Sequence, residues 1–288
     1  MTVALRTRRE KAPALRRGLC FARALAYISC AVFLFSCASA PAPLERADYI
    51  PAAFEWQPVT AYADYAVFDD GTIPLRYHCI RIDLTAPGLR VVSYPHTAGA
   101  FAGKSTRAFA RETGAQIAVN ATPFKGRFLL KHTVGVHGAD GATLSAPVQK
   151  YDALVFEQMA DGLRARIVVG QDETQCAGAA YAFGGFWAVV RDGAKQAFAH
   201  TSYNARTAAG ISADGRTLFL LVVERNAGLS YQQCADIFLA LGAEHAIQLD
   251  GGHSSDLVLN GQSVLVRGGG RTVGVSFGFV QDERRLSQ

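Results

Sequence analysis

Arg206-Thr-Ala-Ala-Gly-Ile-Ser-Ala-Asp-Gly-Arg-Thr-Leu-Phe-Leu-Leu-Val-Val-Glu224 is two apolar runs joined at Asp214-Gly215. It reads as a hairpin-like pair of strands, Thr207–Ser212 and Thr217–Glu224, because an Asp-Gly step takes the tight-turn geometry that hairpins need. Downstream, Ser230 caps an amphipathic helix over Tyr231–Leu241, which Gly242 ends. Ala246-Ile-Gln-Leu-Asp250 is a short strand running into Gly251-Gly252. Asn260-Gly261, between Asp256–Leu259 and Ser263–Val266, is the strongest short hairpin signal in the chain. Upstream, His78–Leu84 alternates with period two before Ala86-Pro-Gly, and Ser105 caps a helix through Thr113 that Gly114 stops. Ile117-Ala-Val-Asn120 follows as a short buried strand. Ala153–Phe156 and Ala165–Val169 flank Asp161-Gly162, and Phe186–Val190 precedes a turn at Arg191-Asp-Gly193. Many strands and at least two helices predict an α+β fold: one domain over residues 48–282, with a mixed, largely antiparallel sheet core flanked by a few helices.

The chain has 288 residues, half of them apolar and 18% charged, the profile of a globular protein with a sizeable core. Its net charge of +5 invites a nucleic-acid partner, but the distribution argues against one. Arg6, Arg8, Arg9, Lys11, Arg16, Arg17 and Arg23 all precede Ser36, opposed there only by Glu10, and without that segment the balance is about −1. The basic stretch runs into an apolar run, Ala24–Phe35, too short for an ordinary membrane span and suited to a signal core. Leu34-Phe35-Ser36-Cys37 resembles a relaxed bacterial lipobox, in which the cysteine is acylated. The expectation is a lipoprotein-type signal peptide over 1–36, a small-residue and proline tether over 37–47, and a lipid anchor at Cys37 holding the protein to a membrane. A simple signal peptide and an uncleaved anchor are the alternatives, and all three place the body outside the cytoplasm. Cys79, Cys176 and Cys234 remain in the body; the count is odd, the spacings match no metal motif, and buried free thiols are the favoured reading over a disulfide.

The densest polar cluster is Leu249-Asp250-Gly-Gly-His-Ser-Ser-Asp256. A strand end fixes the Asp250 carboxylate, while Gly251 and Gly252 let the backbone turn and bring N–H donors close to an anion. Ser254 and Ser255 add hydroxyls. An ordinary turn capped by Asp and Ser has the same local sequence. Arg206, just before an apolar strand in His200–Thr207, is placed to clamp a phosphate bidentately, although a solvated arginine is the default. Asn120 ends a buried strand, where its amide either holds a substrate oxygen or caps the turn before Pro123. His78, His132, His137 and His245 show no ligand spacing and read as structural or surface residues. Walker, GxSxG, HExxH and zinc-type Cys/His patterns are missing, and Gly268-Gly-Gly270 has no helix pattern after it. Neither a cofactor nor a metal is expected.

Taken in order, Arg206-Thr-Ala-Ala-Gly-Ile211, Asp214–Val223, Gly228-Leu-Ser230 and Leu241–Gly261, with Leu249-Asp-Gly-Gly-His-Ser-Ser255 inside it, resemble the phosphodiester glycosidase family. Its best-known members uncover mannose 6-phosphate by removing N-acetylglucosamine from a phosphodiester. Weaker likeness at Arg81–Leu84, Ser105–Phe124, Gly184-Gly185 and Arg191-Asp-Gly193 extends it to roughly Tyr77–Val280. Two departures stand out. His253 replaces the third glycine or small residue common in the family, and Ala-Thr-Pro-Phe follows Asn120 in place of Gly-Gly-Phe-Phe.

The resemblance implies a hydrolase acting on a sugar-1-phosphodiester. Arg206 and the Gly251 and Gly252 amides would hold the phosphodiester, with Ser254 and Ser255 beside them. Asp250 would serve as general acid/base near the anomeric carbon or orient the group that does. Asn120 would fix the substrate, and His253 would shape the pocket mouth or add an acid/base group. Glycoside cleavage usually employs paired carboxylates; Glu224 and Asp256 are the candidates for the second. Two other readings stay open: a metal-dependent phosphodiesterase with Asp250 and Asp256 as oxygen ligands, and a non-catalytic binder of a phosphate-linked glycan.

Overall fold

A computed structural model describes residues 45–69, 71–126, 130–198 and 202–282. The expected signal peptide, Cys37 and His200 lie outside the described residues. So does most of the expected tether; a four-residue helix, Arg46–Tyr49, already stands where it was to end.

The Asp214-Gly215 hairpin is the centre of the molecule. Thr217–Val223 pairs on one side with Arg206–Ile211 and on the other with Tyr77–Asp83, over seven registered residues. Side chains of a strand point alternately to opposite faces. Leu218, Leu220 and Val222 therefore enter one core, while Phe219, Leu221 and Val223 enter another. A strand apolar at both parities must be covered on both faces, and it is. The sheet built on it has eight strands in the order Gln57–Thr60, Ala63–Phe68, Tyr77–Asp83, Thr217–Val223, Arg206–Ile211, His245–Gln248, Ala188–Arg191 and Ala194–Lys195.

One face is closed by the helix Tyr231–Ala240 through Cys234, Ile237 and Phe238. Ser230 and Gln233 make a reciprocal capping box at its start. A Cβ on Gly210 would lie 2.5 Å from the Phe238 ring, so the helix can approach the sheet this closely only over a glycine. The other face meets two five-stranded sheets. The first runs Gln262–Ser263, Leu257–Leu259, Ile117–Asn120, Ser276–Gln281, Leu89–Tyr94; the second runs Ala142–Ser145, His137–Ala139, Tyr181–Gly184, Ala153–Met159, Gly162–Val168. Phe156, Phe183 and Phe277 interlock between them, with Phe183 and Phe277 stacked at 4.7 Å between centroids. The helix Thr106–Thr113, capped by Ser105 and ended by Gly114 at φ 72°, covers the outside of the first.

The protein is thus mainly β with few helices, which meets the α+β expectation coarsely. The sheet is not mixed, however: every strand pairing among the described residues is antiparallel. Hairpin turns such as Asp161-Gly162, Asp214-Gly215 and Asn260-Gly261 connect neighbours directly, and parallel pairing would need crossovers instead. The strand after Asn260-Gly261 is also shorter than expected, Gln262–Ser263, because the Val266 and Arg267 amides go to the Glu224 carboxylate rather than to a ladder. Cys79, Cys176 and Cys234 are buried free thiols.

Replacing Phe238 by alanine removes the ring that meets both Gly210 and the sheet. The substitution is expected to cost about 3–5 kcal/mol of unfolding free energy, read by urea denaturation.

Candidate active site

Asp250 stands just past the end of the strand His245–Gln248. Its position is set by backbone on both sides: Leu249 N donates to Thr207 O and Asp250 N to Ala121 O, each at 2.8 Å. The Asn120 carboxamide completes the junction. Its Nδ2 donates to Asp250 O at 2.6 Å, and its Oδ1 accepts from Thr207 Oγ1 at 2.8 Å and Asp256 N at 3.1 Å. Asn120 is fully buried and joins three chain segments at one point. Its bonds lie within the protein, so what it orients directly is Asp250.

After Asp250 the chain makes a single 3₁₀ turn, Gly252–Ser254. Gly252 adopts φ 63°, and a Cβ on Gly251 would sit 3.0 Å from Ala205 O. The two glycines are thus needed for shape. The Gly252 amide donates to Ala205 O at 2.8 Å, and that of Gly251 supports the Asp250 carboxylate. Those amides were expected to hold an anion; instead the turn itself consumes them. Burial pushes the Asp250 carboxyl from 3.8 up to about 6, against the opposing pull of the Ser254 hydroxyl, the Arg271 charge and the Gly251 amide. His253 is exposed at the turn's edge, and Ser255 is buried with its hydroxyl unpartnered among the described residues. Thr122 Oγ1, two residues past Asn120, is likewise buried and unpartnered.

Arg206 is 8% exposed and rigidly held. Nε donates to Leu229 O at 2.9 Å and Nη2 to Ser202 O at 2.7 Å, while the guanidinium lies over the Tyr231 ring, 4.5 Å from its centroid. Nη1 has no acceptor among the described residues. Gly251 packs against the Arg206 side chain, which sets this fixed cation beside the Asp250 turn. Tyr231 continues into an aromatic wall: Trp187 at 6.2 Å and Tyr151 a further 5.1 Å on, with Trp187 39% exposed.

The two carboxylates foreseen as a second acid do other work. Glu224 is buried; its Oε1 accepts from His78 Nε2 and Val266 N, both at 2.9 Å, and its Oε2 from Arg267 N at 2.8 Å. Burial opposes the charge, but the bonds from His78, Val266 and Arg267 outweigh it and hold the carboxyl below the ordinary glutamate range. Asp256 accepts from Ser263 Oγ at 2.6 Å and from Gly270 N at 3.1 Å. Both carboxylates therefore pin the loop 264–271. His78, read as structural or surface, is structural: a buried link between Glu224 and the Tyr65 hydroxyl, 2.8 Å from Nδ1, with partners no local pattern showed.

Sequence reasoning missed Arg271, whose charge reaches Asp250 and whose guanidinium lies 5.7 Å from the Phe124 centroid. The only local signal was the glycine run before it. Tyr231 and Trp187 were likewise not singled out, since aromatic residues in a helix and a strand read as core.

A family model described as phosphodiester glycosidase matches residues 113–280; the resemblance at Arg81–Leu84 lies upstream of that match. The catalytic domain of zebrafish N-acetylglucosamine-1-phosphodiester alpha-N-acetylglucosaminidase, auto-inhibited by its pro-peptide, is similar at a TM-score of 0.61 and 18% identity, over 78% of this chain and 85% of that one. A hypothetical protein from Synechocystis gives 0.60 and 14%, over 81% of this chain and 64% of that one, so this chain spans under two thirds of its length. At these identities the likeness is one of fold. No curated protein matches.

Asn120→Ala leaves Thr207 Oγ1, Asp256 N and Asp250 O without their partner, so a loss of roughly 2 kcal/mol or more is expected in denaturant unfolding. Asp250 gives a pH signature. Its carboxyl is raised in the fold, so folding takes up a proton between the unfolded and folded values, and its contribution to stability falls as pH rises from about 4 to about 6. Asp250→Asn is expected to flatten that slope and to be the more stable protein at pH 7, by about 1–3 kcal/mol.

Proposed function

This chain belongs to the phosphodiester glycosidase family, and from that premise we propose that it hydrolyses the bond between the anomeric carbon of a sugar and the phosphate of a phosphodiester. The family supports a glycosidase-type activity; the substrate and the residue roles are our reading. One observation carries it: a partly buried carboxyl raised to about 6 beside a rigid, nearly buried arginine. A base of that strength is matched to neutral pH, and Arg206 supplies fixed positive charge for an anion.

In this reading Arg206 holds the phosphodiester through Nη1, and the sugar lies along the Tyr231–Trp187 wall. Asp250 takes a proton from water as its oxygen attacks the anomeric carbon. The C–O bond to phosphate breaks, and its electrons leave on the phosphate oxygen. A phosphate monoester is a good leaving group and needs little protonation, so one carboxyl can serve where most glycosidases use two. Ser254 supports the Asp250 carboxylate, the Ser255 and Thr122 hydroxyls are the buried donors left for the substrate or the water, and His253 stands at the rim. Each Asp256 oxygen accepts a hydrogen bond from the 263–270 loop, which supports a structural task for that carboxylate.

We place the enzyme outside the cytoplasm, anchored through acylated Cys37, on the strength of the basic and apolar leader and Leu34-Phe35-Ser36-Cys37. A cell-envelope glycan carrying sugar-1-phosphate links is the substrate class this location suggests.

The test is turnover of GlcNAc-1-phospho-methyl diester and a panel of other sugar-1-phosphodiesters by the full-length chain, with products read by mass. Free sugar plus methyl phosphate is expected, with kcat/KM rising through about pH 6 and falling ~10²–10⁴-fold in Asp250→Asn. Sugar-1-phosphate plus methanol would identify P–O cleavage instead, and binding without turnover would identify a glycan-binding protein.

A further inference from the structure

We propose that Arg271 is the second cation of the phosphate seat, beside Arg206, and that Asp256 and Glu224 are positioning residues that deliver it. The proposal rests on the glycosidase reading only for the identity of the anion.

Phe124 follows Asn120 and Ala121, whose carbonyl receives the Asp250 amide. Two cations share its ring: Arg271 at 5.7 Å and the buried Lys131 at 5.2 Å from the centroid. Two like charges on one ring repel each other, and a bound anion relieves that repulsion. Arg206, against which Gly251 packs, is stacked on Tyr231 in the same manner. Two arginines thus lie near the Asp250 turn, each laid over an aromatic ring. Stacking restricts a guanidinium while leaving its in-plane N–H groups for an anion.

Arg271 is exposed, and its placement depends on its loop. That loop is held by three amide-to-carboxylate bonds, Val266 and Arg267 to Glu224 and Gly270 to Asp256. Gly268, Gly269 and Gly270 adopt φ 125°, 70° and 72°, and a Cβ on Gly269 would lie 2.8 Å from Asp256 Oδ1. The glycine run lets the backbone sit directly on a buried carboxylate. Such an anchored loop has a clear purpose if the residue at its end must be exact in position.

The experiment measures methyl phosphate binding to the full-length protein by calorimetry, beside the kinetics on the methyl phosphodiester. Arg271→Ala is expected to weaken methyl phosphate about tenfold to a hundredfold, with Arg271→Lys intermediate. KM for the phosphodiester should rise more than kcat falls. Asp256→Asn should reproduce that KM signature in a chain that still melts cooperatively. Arg267→Ala, which removes the same charge from the same loop where the side chain bonds Asn226, is expected to stay within about twofold. Unchanged methyl phosphate affinity in Arg271→Ala, equal losses in Arg267→Ala, or no methyl phosphate binding by the wild type would overturn the proposal. Absence of turnover on every sugar phosphodiester would sink the glycosidase reading instead, and the binding comparison would still decide the role of Arg271.

Discussion

A single buried carboxamide joins the parts of this protein on which its chemistry depends. Asn120 sits at the end of one strand, accepts a hydrogen bond from the Thr207 hydroxyl in another sheet, and grips both ends of the 250–256 turn. Buried polar groups must find partners, and here one side chain satisfies groups in two segments that are distant from it in sequence. Asp250 is consequently held by its neighbours' backbone and by Asn120, with its carboxyl left for chemistry. The same burial that makes the junction rigid raises the carboxyl to about 6.

The other acids near the site show how burial alone misleads. Glu224 is more deeply buried than Asp250, yet its carboxyl is held below the ordinary range because three donors converge on it. A carboxylate so surrounded is a fixed anion, suited to holding a loop and unsuited to moving a proton. Asp256 accepts from Ser263 and Gly270 and so holds the same loop. The division of labour follows from where the donors come from: those of Glu224 and Asp256 lie largely on the 263–270 loop, whereas those of Asp250 belong to its own turn.

Local patterns made much of this legible. The Asp214-Gly215 and Asn260-Gly261 hairpins, the Ser105 and Ser230 caps and the Gly114 stop stand where their residues put them, because turn and cap chemistry is decided within a few residues. The order Arg206, Gly228-Leu-Ser230, Leu249-Asp-Gly-Gly carried the family likeness for the same reason. Sheet order, by contrast, depends on which apolar faces meet, and the period-two pattern does not state its partner. The strand Thr217–Val223 shows that both its faces are buried; nothing in it shows that a helix covers one and two sheets the other.

The site divides along the same line. The sequence by itself determined that Asp250 ends a strand before a glycine turn and that Arg206 opens the neighbouring one, since both facts are local. Only the tertiary structure decided that the Gly252 amide is used by Ala205, that Asn120 serves Asp250, that His78 is paired with Glu224 across 146 residues, and that Arg271 comes to rest over Phe124. Hydrogen-bond partners and desolvation are properties of what surrounds a group, and for these residues the surroundings arrive from remote parts of the chain.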